Sequence, residues 1–454
     1  MRNLSRSVSS NPLIRSIRGL LPPGTYLVGG CIRDMLLGRE PLDFDLVSYA
    51  SIEDVASLIA SRIGSRPFWM DEKRGVLRIV MKPSGRSIDI SMPKGSVIEE
   101  DLLSRDITIN AMGYDISNDR LIDPASGLHD LNQGIIRLLS EENLISDPIR
   151  SLRAIRFSVV LDFALEGETL KMIRTNGKLI EKVSPERIKQ EVIRALDSPG
   201  GAKFFRLLAW AGLLPVIFSQ YLPATGNLDN WHSVFRFAIP VSVEMDGLLY
   251  CADALMPGSK SLLNQEVEAG VSRASLLRLA SILLGLEDAR REGIAPRVKG
   301  NIHESESFGK RVASFCTSLR FSSPASRLVK NILGKQRLTE RILSRKETST
   351  LELYRFCKAT EDYLPEALLL SLAWAQAHDL IQRQNATMIW EYYRDVYTEY
   401  KKKPLVTGDD VMKLLGRPAG PAVGECLRKV EEARASGIVR TRSEALKFLQ
   451  STSC

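Results

Sequence analysis

Asp43 and Asp45 stand two apart in the stretch YLVGGCIRDMLLGREPLDFDLV, residues 26–47. The stretch reads as a strand over Tyr26–Val28, a Gly29-Gly30 turn, a short helix carrying Arg33 and Asp34, and a second strand carrying the two aspartates. Side chains alternate along a strand, so Asp43 and Asp45 point the same way. Two carboxylates on one face repel unless a cation sits between them, and a hard divalent ion such as Mg²⁺ is the natural occupant. The glycine turn ahead of a helix offers free backbone N–H groups to a phosphate. An acid pair for a metal beside a phosphate cradle is the equipment of nucleotidyl transfer. A third acid, Asp89, lies between Ile88 and Ile90 in a β-like run. On a neighbouring strand it would activate an attacking hydroxyl or complete the metal shell; the plainer alternative is a solvent-facing position in an alternating strand.

Two later clusters add cations. In SRDITINAMGY, residues 104–114, Arg105 can bind phosphate oxygens bidentately, and Asp106 and Asn110, four apart, would share a helical face. In SDPIRSLRAIRF, residues 146–157, Asp147, Arg150 and Arg153 are spaced by three and would line one helix face. Such a row is usually a solvated charge stripe. It also suits a nucleobase, because a carboxylate accepts from an exocyclic amine while a guanidinium donates to ring nitrogen and carbonyl oxygen. Further on, Ser184, Pro185 and the Arg187/Glu191 spacing predict a capped helix with an i,i+4 ion pair.

The elements that must hold these residues follow from periodicity. Ile52–Ile63 has helical apolar spacing with Ser51 as N-cap, and Val76–Met81 and Ser87–Ile90 read as strands. From about Phe218 to Arg345 the pattern is amphipathic helix. Near the end, Gly408 opens a helix, Gly416–Gly424 is a glycine- and proline-rich turn, and a second helix runs to about Ala435. Lys401, Lys402, Lys403, Arg417, Arg428 and Lys429 supply positive charge there for an RNA backbone.

Composition is that of an ordinary globular protein: 454 residues, 44% hydrophobic, with 62 basic against 54 acidic residues and a net charge of +8. The bias is towards an anionic partner. Six scattered cysteines form no CxxC or His–Cys cluster, which points to reduced thiols in the cytoplasm rather than a zinc or disulfide framework. No apolar run reaches the length of a membrane span. Residues 1–33 hold no acid but several arginines and serines, a composition that also fits a mitochondrial transit peptide; the preferred reading makes Pro12–Leu21 the first helix of the fold.

The joined pattern GG-x-x-R-D-x-L-L-G-x-x-x-x-D-x-D, with SRDITINAMG, Asp123-Pro-Ala-Ser-Gly127 and SDPIRSLRAIRF, resembles the tRNA nucleotidyltransferase and bacterial poly(A) polymerase family. The resemblance implies an α+β fold: a polymerase-β-like nucleotidyltransferase head, a mixed sheet with helices, followed by an all-helical neck, body and tail. It divides the chain into an extension (1–22), head (23–140), neck (141–216), body (217–400) and tRNA-binding tail (401–454). It implies template-independent addition of 3′-terminal CCA nucleotides to tRNA from CTP and ATP with release of pyrophosphate. Asp43 and Asp45 would hold Mg²⁺ and Asp89 would assist the hydroxyl. Gly29, Gly30, Arg33 and Arg105 would hold the triphosphate, with Asp106 and Asn110 near the ribose. Asp147 and Arg150 would read the base, supported by Arg153 and Arg156. Full CCA-adding members carry a longer flexible loop where this chain has only Met92–Asp101, which points to addition of the two cytidines alone. A poly(A) polymerase or an A-adding enzyme shares the chemistry; the alternative of another class is a catalytically silent RNA-binding protein.

Overall fold

The computed structural model describes residues 8–219, 228–294, 308–380, 383–416 and 418–451. The chain forms two units. The first runs to Ala195 and takes in Trp210–Val216; the second comprises Leu196–Ala209 and the chain from Ile217 onward.

The first unit is built on a mixed sheet of seven strands: β1 (Thr25–Val28), β2 (Asp43–Ser48), β3 (Pro67–Asp71), β4 (Val76–Val80), β5 (Ser87–Ser91), β6 (Gly113–Asp115) and β7 (Arg120–Ile122). Their order is β3-β4-β5-β2-β1-β6-β7. The β2–β5 pair is parallel, and it sets Asp45 opposite Asp89 and Asp43 opposite Ser87. The β4–β5 pair is antiparallel and sets Arg78 opposite Asp89. Residues in register share a face of the sheet, so Asp45, Asp89 and Arg78 form one row across three strands. Apolar residues fill the alternate positions: Phe44, Leu46, Leu77, Ile79, Ile88 and Ile90 are buried. Each contributes about 1.5–3 kcal/mol on removal from water.

Helix Ile52–Ile63 forms where its apolar spacing predicts. Ser51 accepts from the Asp54 N–H, left-handed Gly64 ends the helix, and Ile52, Val55, Ala56, Ile59 and Ala60 are buried. Pro12–Ile17 is likewise helical, with Ile14 and Ile17 buried, as the first-helix reading expects. The Asp123-Pro-Ala-Ser-Gly127 turn acts as a clamp. Asp123 Oδ1 and Oδ2 accept from the N–H groups of Gly127 and Leu128 at 2.7 and 2.9 Å, capping helix Gly127–Gln133. From that helix, Asp130 accepts from the Thr108 hydroxyl at 2.7 Å and from Arg137 Nε at 3.0 Å. The approach is so close that a Cβ on Gly127 would strike the Thr108 carbonyl oxygen. This fixes the 3-10 turn Thr108–Asn110, which carries part of the site.

Two expectations are corrected here. Asp147, Arg150 and Arg153 do not lie on one helix. Helix Glu141–Ser146 stops, Asp147 takes φ −143° and ψ 86°, and a new helix runs over Arg150–Val160. The cause is Pro148, whose ring pushes the preceding residue out of the α region. Arg187 and Glu191 share helix Pro185–Leu196 but do not pair with each other: Arg187 binds Asp147, and Glu191 binds Arg156. Glu191 is 5% exposed, so its charge needs the nearest desolvated cation rather than a solvated neighbour.

Among the described residues the second unit is helical apart from a small hairpin, Glu266–Glu268 with Val271–Ser272, and the first unit likewise adds a short ladder, Ile135–Ile136 with Ala164–Leu165. The neck and body are therefore not wholly helical. Leu364–Ala377 is the central rod, with nearly every side chain buried. Helices Leu228–Tyr250, Arg273–Arg291 and Ser323–Leu343 belong to the same unit. Buried Arg278 donates to Asp246 Oδ1 at 2.7 Å and to the Leu196 carbonyl at 2.9 Å. Toward the end, helices Gly408–Leu415, Pro421–Ala435 and Arg442–Ser451 close over their own core of Val406, Val411, Val423, Cys426, Val430, Val439, Ala445 and Leu449.

Replacing Gly127 by Ala forces the Thr108 turn and the capped helix apart. The expected loss is about 1–3 kcal/mol in urea unfolding. Gly167→Ala, whose added methyl meets nothing within 4 Å, should move stability by less than about 0.5 kcal/mol.

Candidate active site

One cleft of about 1430 Å³ in the first unit is lined by Gly30, Arg33, Asp43, Asp45, Arg105, Asp106, Asn110, Asp147, Arg150, Arg153 and Arg156. The structure thus brings together nearly every residue singled out for nucleotide chemistry. Its floor is the acid row of the sheet. Asp43 Oδ1 accepts from Ser87 Oγ at 2.6 Å. Asp45 is half-buried, and burial pushes its carboxyl above the usual range, with the nearby charges of Asp89 and Asp43 adding to the rise and Arg105 opposing it. Asp89 does not stand free: Arg78 Nε and Nη2 donate to its two oxygens, each at 2.7 Å.

Beside the acids, Gly29 sits at φ 79°, where a side chain is strained. A Cβ there would lie 2.6 Å from Arg105 Nη1 and 3.4 Å from Asp45 Oδ2. Glycine is what lets the guanidinium reach the acids. Arg105 is steadied from behind by buried Asp101, 3.1 Å from its Nη2. Sequence reasoning passed over Asp101 and Arg78, because each lies on the far side of a residue with a more obvious role.

The opposite wall is a chain of charges. Buried Glu191 takes Arg156 Nε at 2.6 Å and lies 3.6 Å from Arg153 Nη1. Arg153 Nη2 reaches Asp106 at 2.7 Å. Asp106 Oδ1 accepts from Asn110 Nδ2 at 3.2 Å, and Asn110 Oδ1 accepts from Arg33 Nη1 at 2.7 Å. Arg33 also donates to its neighbour Asp34 through Nε and Nη2, at 2.9 and 2.8 Å. Asp106 and Asn110 therefore meet as expected, although through a 3-10 turn rather than an α-helical face. The guanidinium carbons of Arg33, Arg153 and Arg156 lie 5.0, 5.7 and 3.9 Å from the centre of the Phe157 ring. Phe157 escaped notice in the sequence, yet it spaces three like charges that would otherwise repel.

The two residues expected to read the base are both engaged. Arg150 Nη2 donates to the Ser104 carbonyl at 2.7 Å and its Nη1 to that of Arg105. Asp147 forms a bidentate pair with Arg187, both contacts at 2.9 Å, and the side chains remain 35% and 44% exposed.

The donor set suits a hard cation. Asp43 and Asp45 offer only carboxylate oxygens from one strand face, and nearby Arg78 is already committed to Asp89. Among the described residues no group of three or more His, Cys, Asp or Glu makes a ready-built cage, so remaining ligands would come from substrate phosphates and water.

Toward the C-terminus, the expected RNA-binding cations that lie among the described residues have acidic neighbours. Lys401 lies 3.5 Å from Asp362, and Lys402 and Lys403 lie 3.2 and 3.5 Å from Glu399. Arg428 lies 3.0 Å from Glu432, and Lys429 3.8 Å from Glu425. Arg417 lies outside the described residues.

Asp106 carries a testable consequence. Burial alone would raise its carboxyl, but the Arg153 charge and hydrogen bonds from Arg153, Asn110 and Ile107 hold it below the usual range. A depressed folded value means stability that is present above about pH 4 and lost as pH falls below it. Asp106→Asn should cost about 2 kcal/mol at pH 7. The gap to the parent should shrink as urea unfolding is repeated towards pH 3.

Comparison with known proteins fits this geometry. Residues 25–137 match the poly(A) polymerase head domain, residues 162–225 the RNA- and SrmB-binding site of polymerase A, and residues 306–449 domain 2 of tRNA nucleotidyltransferase. A CC-adding tRNA nucleotidyltransferase of Geobacter sulfurreducens is 32% identical over 430 residues, covering 94% of this chain and 91% of the relative. One of Synechocystis is 29% identical over 440 residues, covering 95% and 94%. The structure of a Thermotoga maritima CCA-adding enzyme complexed with tRNA superposes with a TM-score of 0.68 at 21% identity, covering 99% of this chain and 98% of that one. These bacterial relatives do not bear out the mitochondrial reading of the N-terminus. Identity at this level across nearly the whole length of both chains, over a head with this acid row and arginine wall, makes the protein a member of the tRNA nucleotidyltransferase and poly(A) polymerase family.

Proposed function

We propose that the protein extends the 3′ end of tRNA by two cytidines, taking CTP and releasing pyrophosphate. The observation that carries the chemistry is that Asp43, Asp45, Arg105, Asp147 and Arg150 face one cleft. The tRNA 3′-oxygen attacks the α-phosphorus of CTP. A new P–O bond forms, the bond to the β-phosphate bridge breaks, and pyrophosphate leaves with the electron pair. Mg²⁺ held by Asp43 and Asp45 would lower the pKa of the attacking hydroxyl and neutralise charge on the leaving group.

The chain's own groups do the positioning. Arg105, pressed against Gly29, presents its guanidinium to the triphosphate. Arg33, Arg153 and Arg156, spaced around Phe157, hold a fixed positive wall that needs little reorganisation when phosphate arrives. Asp106 and Asn110 link Arg153 to Arg33 and would lie near the ribose. Asp89 faces Asp45 and, with Arg78 as partner, assists the hydroxyl from behind. Asp147 and Arg150 read the cytosine edge, through its amine and its ring nitrogen and carbonyl. In this reading residues 23–140 are the catalytic head, 141–216 the neck bearing the base readers, 217–400 the body and 401–454 the tail, and the enzyme acts in the cytoplasm.

Restriction to cytidine rests on the segment from Met92 to Asp101. It is short, and it is tied down: the Lys94 N–H donates to Asp101 at 3.1 Å and the Ser96 N–H to Glu100 at 2.6 Å. Both acceptors sit on helix Ile98–Leu103, next to Arg105. A segment this short and tied back on itself favours a base pocket of fixed shape.

Two experiments test this reading. Transcripts ending at the discriminator base, at C and at CC are each given CTP, ATP or both with Mg²⁺. The expected product stops after two cytidines, with the CC-ended transcript unused; completion to CCA overturns the restriction, and use of ATP alone on the CC end makes it an A-adding enzyme. Asp43→Ala and Asp45→Ala should each lower incorporation about a thousandfold, about 4 kcal/mol of transition-state stabilisation, with unchanged circular dichroism. Retained activity in both would remove the acid row from the mechanism.

A further inference from the structure

We propose that the outer face of helix Ser323–Leu343 binds the phosphate backbone of the tRNA, an inference that rests on the proposed substrate. The helix carries Arg327, Lys330, Lys335, Arg337 and Arg341 against one acid, Glu340. Its core side is settled: Ala325, Val329, Ile332, Leu333, Gln336, Thr339, Ile342 and Leu343 are buried. Positions 327, 330, 334, 337 and 341 are all exposed and recur at three- and four-residue steps, so they form one ridge. From Arg327 to Arg341 it extends about 21 Å at 1.5 Å per residue.

Two observations separate this ridge from an ordinary solvated face. Its four cations make no ion pair among the described residues, and Glu340 is turned to Gln336 Nε2 at 3.3 Å. Lys402, Arg428 and Lys429, by contrast, are paired with Glu399, Glu432 and Glu425. Uncompensated charge held along a rigid rod is the arrangement that releases counterions from a polyanion. Second, a recess of about 210 Å³ opens beside the ridge, with Lys330 and Lys335 at its walls and Gly309 and Gly334 among its lining. A Cβ at Gly334 would meet nothing within 4 Å, so the ridge is unobstructed for a phosphate between Lys330 and Arg337.

The test is equilibrium binding of full-length tRNA to the whole protein without CTP, over a range of salt, for the parent, R337Q/R341Q and R337K/R341K. The glutamine variant should bind about tenfold more weakly at 0.1 M salt. The slope of log K against log salt should become shallower by about 0.9 for each contact removed. The lysine variant should keep most of the affinity. In steady state the glutamine variant should show a raised KM for tRNA, with the KM for CTP and the kcat at saturating tRNA unchanged. Unchanged affinity and slope in R337Q/R341Q, or an equal loss in the lysine variant, overturns the proposal. A parent that binds tRNA with this dependence yet incorporates no nucleotide would leave the ridge standing and refute the proposed function instead.

Discussion

A single buried carboxylate, that of Glu191, anchors the electrostatics of the active cleft. It lies in the low-dielectric interior, where an unpaired charge is costly, and it is met by Arg156 and Arg153. Through Arg153 the influence passes to Asp106, then Asn110, then Arg33, so that helices Pro185–Leu196, Arg150–Val160 and Gly30–Leu36 are fastened to one polar chain. No member is placed by hydrophobic packing alone. The strength of such a network lies in geometry more than in net stability: each guanidinium has its rotamer fixed by a partner on the next element.

This wall faces a floor of opposite sign. The sheet aligns Asp45 and Asp89 across β2 and β5, with Arg78 bound to Asp89 and the Arg105 charge near Asp45. The floor is left with excess negative charge and the wall with guanidinium groups. A nucleoside triphosphate with its divalent ion presents the complement of both at once. The protein holds the two apart by the chain crossover from parallel β2 to β5 and by the hydrogen bonds of Asp123 and Asp130 that seat the Thr108 turn.

Much of the fold was legible because local rules and tertiary context agreed. The Ser51 cap, the Ile52–Ile63 periodicity and the strand bearing Asp43 and Asp45 all appear where the pattern sets them. The candidate site residues were readable as a group, since their types announce charge, and most of them line one cleft. What was not legible is who partners whom. Arg187 could be assigned to Glu191 by spacing, yet it binds Asp147, because the partner was decided by burial on a different helix. Asp147 looked helical until the steric effect of Pro148 is counted. Phe157, Asp101 and Arg78 do their work behind visible residues, and one-dimensional spacing carries no trace of that.

The pair between Asp147 and Arg187 has one more consequence. The carboxylate proposed to read the base is held by a guanidinium whose planar fork offers two parallel donors. The protein thereby carries an internal competitor that mimics an amine-bearing edge. On the proposed reading, an incoming ring would have to exceed that tethered rival rather than water, and a ring with a carbonyl in place of the amine would set an acceptor against an acceptor and leave the pair closed. Because both partners are partly solvated, opening costs little, on the order of 1 kcal/mol.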